Sequence, residues 1–201
     1  MNDRQTASVR RKYNRNALVY DSMDRMIRDE WRLKVIGEAR GRVLEIGVGT
    51  GKNLPLYDPQ ITQELVGIDF SSGMLARARS KPCRVPHNLL EMDAQALGFP
   101  DARFDTVLAT CVFCTVPDPL QGLREARRVC RPDGRILLLE HVRIDHPLIG
   151  PLMDLLDPVS VLIIGTHINR RTVENARQAG LRVDRVEAIH GDLVKLIHAS
   201  P

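Results

Sequence analysis

One segment constrains the fold more than any other: Arg42-Val43-Leu44-Glu45-Ile46-Gly47-Val48-Gly49-Thr50-Gly51. A near-continuous apolar run reads as a strand covered on both faces, and it empties directly into three alternating glycines. Glycine lets the backbone turn tightly and approach a ligand closely, and open α/β sheets bind ligands at the carboxyl edge of their strands. The spacing is specific. A dinucleotide fingerprint needs its third glycine one residue later, and no Gly-Lys-Ser/Thr follows to make a phosphate-cradling loop.

The rest of the chain repeats the pattern. Apolar runs at 42–48, 64–70, 88–92, 106–111 and 135–142 alternate with helical stretches, as βαβ units around a mostly parallel sheet require. Ser71 or Ser72 caps the helix GMLARARS. In LQGLREARRVC, Leu120, Leu123, Ala126, Arg127 and Cys130 share a helical spacing. Pro132-Asp133-Gly134 reads as a turn into the fifth strand. A helix at 171–179 closes at Gly180, and runs at 182–189 and 194–199 follow, joined through Gly191-Asp192. So short a connection demands a hairpin, because parallel neighbours need a long crossover. The expected fold is a single α/β domain, residues 41–201: a Rossmann-like three-layer sandwich with a mostly parallel seven-stranded sheet and an antiparallel last strand.

Residues 1–40 are expected to be an arm and a lid helix. They hold ten Lys/Arg against six Asp/Glu, while the remainder holds nineteen of each, so the net charge of +4 sits here, above all in Arg10, Arg11, Lys12 and Arg15. A helix over 22–40 carries Met23, Met26, Ile27, Trp31, Val35 and Ala39 on one face, a stripe that packs on the domain or covers its cleft. Such a basic arm can approach nucleic acid, an anionic membrane or an acidic substrate. Aromatic residues are too sparse, at 4%, for single-strand binding by stacking. The polar start MNDRQTASVRRKYN lacks the apolar core of an export signal, and four unpaired-looking cysteines suit a reducing compartment, so a cytoplasmic location is expected. Residues 148–164 are rich in Leu, Ile and Val yet interrupted by Asp154, Asp157, Pro151 and Pro158. The segment is too short and too charged to span a bilayer; burial in the core is its default reading, and the other is that part of it lines the cleft and selects an apolar acceptor. Cys111-x-x-Cys114 offers two thiols where zinc needs four ligands, so buried apolar side chains are expected and no metal site.

Glu45-x-Gly47-x-Gly49-x-Gly51 resembles the first motif of class I S-adenosylmethionine-dependent methyltransferases, and the likeness extends over roughly residues 10–200. Gly67-Ile68-Asp69-Phe70-Ser71 matches the strand end whose acidic residue takes both ribose hydroxyls. Asp93-Ala94 matches the acidic position at the adenine amino group. Phe104-Asp105 and Thr110 bracket the fourth strand beside the methionine moiety. Arg131-Pro132-Asp133-Gly134 stands at the family's Pro-Gly-Gly turn, with Asp133 departing from it. The resemblance implies a cofactor site of Glu45, Gly47, Gly49, Gly51, Asn53, Asp69, Phe70, Met74, Asp93, Ala94 and Thr110, with Tyr13 and Tyr20 closing from the N-terminal motif. It implies S-adenosyl-L-methionine as cofactor and S-adenosyl-L-homocysteine as product.

After the fourth strand the chain reads Cys111-Val112-Phe113-Cys114-Thr115-Val116-Pro117-Asp118, without the Pro-Pro-aromatic loop of DNA and protein-amide methyltransferases. It resembles the small-molecule branch: bacterial phosphatidylethanolamine N-methyltransferases, thiol S-methyltransferase-like proteins and quinone-biosynthesis C-methyltransferases. A small lipophilic or lipid acceptor is expected, with peripheral contact to an anionic membrane. The alternatives are an RNA methyltransferase, supported only by the basic arm, and a non-catalytic binding module. His141, at the end of the fifth strand, is the candidate base or substrate contact, and His167 and Arg170 are candidates for an anionic head group.

Overall fold

The computed structural model describes residues 27–163 and 165–201. Tyr13, Tyr20, Met23, Met26 and the basic cluster Arg10–Arg15 lie outside the described residues. The elements run α1 (Asp29–Ile36), β1 (Gly41–Ile46), a single 3-10 turn (Leu54–Leu56), β2 (Thr62–Asp69), α2 (Ser72–Ala78), β3 (His87–Glu91) and β4 (Phe104–Thr110). After them come α3 (Pro119–Val129), β5 (Cys130–His141), α4 (Ile149–Ile163), α5 (Thr172–Gln178), β6 (Arg182–His190) and β7 (Val194–Ser200).

The seven strands lie in the order β3-β2-β1-β4-β5-β7-β6. All neighbours are parallel except β7, which runs antiparallel to both β5 and β6 and so fills the space between them. Alternation along each strand sends successive residues to opposite faces. Leu44, Ile46, Val107, Ile136 and Leu138 meet Leu123, Ala126 and Val129 of α3 and Val173 and Ala176 of α5. On the other face Val43, Leu65, Leu108, Leu137 and Leu139 meet Val35, Ile36 and Ala39 beside α1, Tyr57, and Leu75 and Ala78 of α2. Two apolar layers thus sandwich the sheet, giving the three-layer fold expected from the sequence.

Three local expectations change. The Pro132 turn is a bulge inside β5: Phe104 pairs with Cys130 and Thr106 with Arg135, so β5 gains three extra residues across one step of β4. Pro132 has no N–H to offer a ladder, so the backbone loops out there instead of ending the strand. The N-terminal helix, where described, covers only 29–36; Gly37 caps it. Trp31 of that helix stacks on His190 at 5.6 Å between ring centroids. The largest departure is 149–163. It folds as a helix, but none of its large apolar side chains enters either core layer; only Gly150 and Asp157 are buried.

Candidate active site

Ile46, Ile68 and Ala109 lie side by side at the carboxyl ends of β1, β2 and β4. Beyond them the chain opens a cleft of about 880 Å³, its open mouth included. The glycine loop forms its floor. Gly47 has φ +69°, and a Cβ there would stand 2.4 Å from Val112 Cγ2. Gly51 has φ +81° and would press on the backbone of Ala78 at 2.9 Å, so it serves the packing of the loop on α2 and does not line the cleft. Gly49 N–H points inward and donates to Asp69 Oδ2 at 3.0 Å.

Asp69 ends β2 with its other oxygen accepting from Ser71 N–H at 2.9 Å. Burial is the main influence on it and pushes its pKa up to about 6, against the pull of those two N–H groups and of Phe70 N–H. A carboxylate accepts side by side at its two oxygens, so the group suits a neighbouring pair of hydroxyls. Past Asp69, Phe70, Met74 and Met92 line an apolar slot that ends at Asp93 and Ala94. Asp93 is held by Gln95, whose backbone N–H donates at 2.8 Å and whose side-chain amide donates at 3.0 Å. Gln95 Oε1 in turn accepts from Asp118 N–H, which joins this end of the cleft to the start of α3. An apolar slot closed by a carboxylate suits a purine bearing an exocyclic amine.

The opposite end is polar and buried. Asn53 donates to Glu45 Oε1 at 2.7 Å and to Thr110 Oγ1 at 3.2 Å. Tyr57 O–H donates to Glu45 Oε2 at 2.9 Å. Arg32, reaching in from α1, donates to Asn53 Oδ1 at 2.9 Å. Burial pushes the Glu45 carboxyl up to about 7, opposed by the bonds from Tyr57 and Asn53 and by the Arg32 charge. This end therefore offers a guanidinium and, at the mouth, the Lys52 ammonium to a carboxylate, and it offers Glu45 to an ammonium. Arg32, Lys52, Tyr57 and Gln95 are absent from the sequence-derived site. Arg32 alone had a signal: it stands one turn before Ile36, a charge at a core-facing helical position.

Between the two ends, Thr110, Cys111, Val112, Thr115 and Val116 form the remaining wall. Cys111 sits at φ +53°, a strained conformation for a side chain with a Cβ, and this turn redirects the chain along the cleft. Glu140, wholly buried at the end of β5, anchors the turn by accepting from Val112 and Phe113 N–H at 2.8 and 3.0 Å. Burial pushes its pKa up to about 7. Cys111 and Cys114 are free thiols, and burial raises Cys114 well above its usual range.

The three substrate-side candidates stand behind this wall and are not part of the cleft lining. His141 is largely buried, which lowers its pKa, and its Nε2 has no partner among the described residues. His167 N–H donates to Cys114 O at 2.9 Å while its ring bonds Asp157 at 2.8 Å. Arg170 donates to Val116 O at 3.0 Å. His167 and Arg170 brace the lining from outside.

Comparison with known proteins identifies the family. Residues 44–138 match a family described as "Methyltransferase domain". The chain is 40% identical over 152 residues to the phosphatidylethanolamine N-methyltransferase of Cereibacter sphaeroides, covering 72% of each protein. It is 35% identical over 136 residues to the ubiquinone/menaquinone biosynthesis C-methyltransferase UbiE of Geobacter sulfurreducens, covering 60% of this chain but only 53% of that relative. Among solved structures, an S-adenosylmethionine-dependent methyltransferase from Mesorhizobium loti superposes with a TM-score of 0.68 at 19% identity, over 86% of this chain and 97% of that one, a likeness of fold.

Proposed function

Because the chain belongs to the class I S-adenosylmethionine-dependent methyltransferases, we propose that it methylates a small lipophilic acceptor, foremost the amine of a phospholipid head group. The observation that carries this choice of acceptor is the 40% identity over 72% of both chains with a phosphatidylethanolamine N-methyltransferase. The cleft fits the cofactor: Arg32 and Lys52 suit its carboxylate, Glu45 its ammonium, Asp69 its ribose and Asp93 its adenine amine. When bound, the cofactor supplies an electrophilic methyl carbon on a sulfonium.

The chain's own contribution is position and dryness. Thr110, Cys111 and Val112 present a wall of small and apolar groups toward the space between the polar end and the ribose acceptor, and Glu140 fixes that wall by its two backbone bonds. A neutral amine needs only to be held in line, about 3 Å from the methyl carbon, in a site that excludes water. Among the described residues, no carboxylate or imidazole lines the stretch 110–117, which suits an acceptor that has already lost its proton to solvent. Arg32 projects into the cleft from α1, which supports that helix as part of the cofactor's cover.

The test is transfer of labelled methyl from the cofactor to detergent-dispersed phosphatidylethanolamine, a demethylated quinone precursor and a small thiol in parallel. Label in the phospholipid is the expected result. Label in the quinone precursor or the thiol alone would overturn the acceptor while leaving the methyltransferase reading in place.

A further inference from the structure

Helix α4 is amphipathic in the wrong sense for a domain helix. At roughly 100° per residue, Asp154, Asp157 and Ser160 fall on one side together with Gly150. That side faces the protein. Asp157, 8% exposed, accepts from Ile168 N–H at 2.8 Å and bonds the His167 ring. Asp154 holds Arg143 through contacts of 2.9–3.1 Å, and Ser160 O–H donates to Thr166 O at 2.8 Å. The opposite arc, roughly 120° wide, consists of Ile149, Leu152, Leu155, Leu156, Val159 and Ile163, each between 41% and 74% exposed. A soluble domain places such a stripe against its core. Here the polar groups tether the helix and the aliphatic groups face out.

We infer that α4 is a docking element for a phospholipid bilayer, laid in the interface with its aliphatic arc among the acyl chains. Three features select lipid over protein. The arc holds Leu, Ile and Val and none of the Trp, Tyr or Arg anchors that carry protein interfaces. Fifteen helical residues extend only about 22 Å, too short to cross a hydrocarbon layer of about 30 Å but enough to lie along its boundary. Both acidic groups of the helix point to the protein side, Asp154 to Arg143 and Asp157 to the His167 ring and Ile168 N–H, so the aliphatic arc itself holds no charged side chain. The tether also leads to the active site, because His167 binds the carbonyl of Cys114, next to the lining residues Thr115 and Val116. This inference deepens the phospholipid reading above: it gives that acceptor a route from the bilayer to the cleft.

The experiment is flotation of the full chain, without cofactor, with vesicles of phosphatidylcholine alone and of phosphatidylcholine with phosphatidylglycerol. The wild type should float with both and stay bound in high salt. Leu155→Gln/Ile163→Gln should lose at least tenfold in partitioning while keeping its melting temperature and its calorimetric affinity for the cofactor. Leu33→Gln, an exposed apolar residue on α1, should float like the wild type. A wild type that stays unbound, or that floats only with anionic vesicles and is released by salt, overturns the inference. So does a wild-type dimer in solution that Leu155→Gln/Ile163→Gln dissociates, since a second copy would then be what covers the arc. Methylation of micellar phospholipid by a protein that does not float removes the docking role alone; flotation without lipid methylation removes the acceptor alone.

Discussion

At the scale of single residues, the cleft rests on a few charges that burial has made conditional. Asp69 can accept hydrogen bonds from two hydroxyls at once only as a carboxylate, and burial has brought its pKa up to about 6. Cofactor affinity should therefore weaken as pH falls through about 6, and calorimetry across that range should find a flatter profile for Asp69→Asn. Asp69→Ala, which leaves hydroxyls unpaired, should cost on the order of 1–3 kcal/mol of binding at neutral pH. Arg32→Met keeps the side-chain length and removes the guanidinium; one lost charge-assisted bond corresponds to about tenfold or more in cofactor affinity. Methylthioadenosine, which lacks the amino-acid moiety, should bind wild type and Arg32→Met alike, and a parallel loss there would show that Arg32 supports the fold instead. Gly47→Ala asks a methyl group to stand 2.4 Å from Val112 Cγ2 in a left-handed backbone. It should lower stability by at least about 1–2 kcal/mol in urea titration and weaken cofactor binding by displacing the wall.

Elements differ in how plainly the sequence announces them. The strands and α3 are legible because a parallel sheet covered on both faces needs unbroken apolar runs, and because Leu123 and Ala126 stand at helical spacing, although Cys130, read with them, opens β5 instead. Their ends are less so: β1 and β4 stop before Gly47 and Cys111, where backbone turns made for the site replace the ladder. The cofactor positions at those strand ends follow from motif spacing, whereas Arg32 arrives from a helix distant in sequence, and no motif spans that gap. For α4 the count of apolar residues is the same whether they face in or out. Only the phase of Asp154, Asp157 and Ser160 carries the direction, and it is readable once their partners are known. The start of α3 offers a check at this scale. Asp118 caps it by accepting from Gln121 N–H at 3.0 Å, with Pro119 in the first turn. Asp118→Ala should cost about 1 kcal/mol of stability, seen as a lower melting temperature. Cofactor affinity should hold, because the backbone N–H of residue 118 still serves Gln95.

Across the whole molecule the raised carboxyls act together. Glu45 and Glu140 are pushed to about 7 and Asp69 to about 6, each chiefly by burial. Between the ordinary carboxyl range near 4.5 and these values, the native state binds more protons than the unfolded chain, so stability falls as pH rises through that window. Thermal melts of the ligand-free protein should show a midpoint that declines from about pH 5 to pH 8, with Glu140→Gln reducing the slope. The sheet order has a different consequence, one for synthesis. Among the described residues β7 is the only partner that β6 has and the only one on the outer side of β5, yet it follows both in the chain. A ribosome delivering about 5–20 residues per second leaves β5 as an open sheet edge, and β6 without a neighbour, until residues 194–200 emerge. Nascent chains stalled before Val194 should accordingly be captured by holdase chaperones and cut readily by protease, and release of the last strand should abolish both.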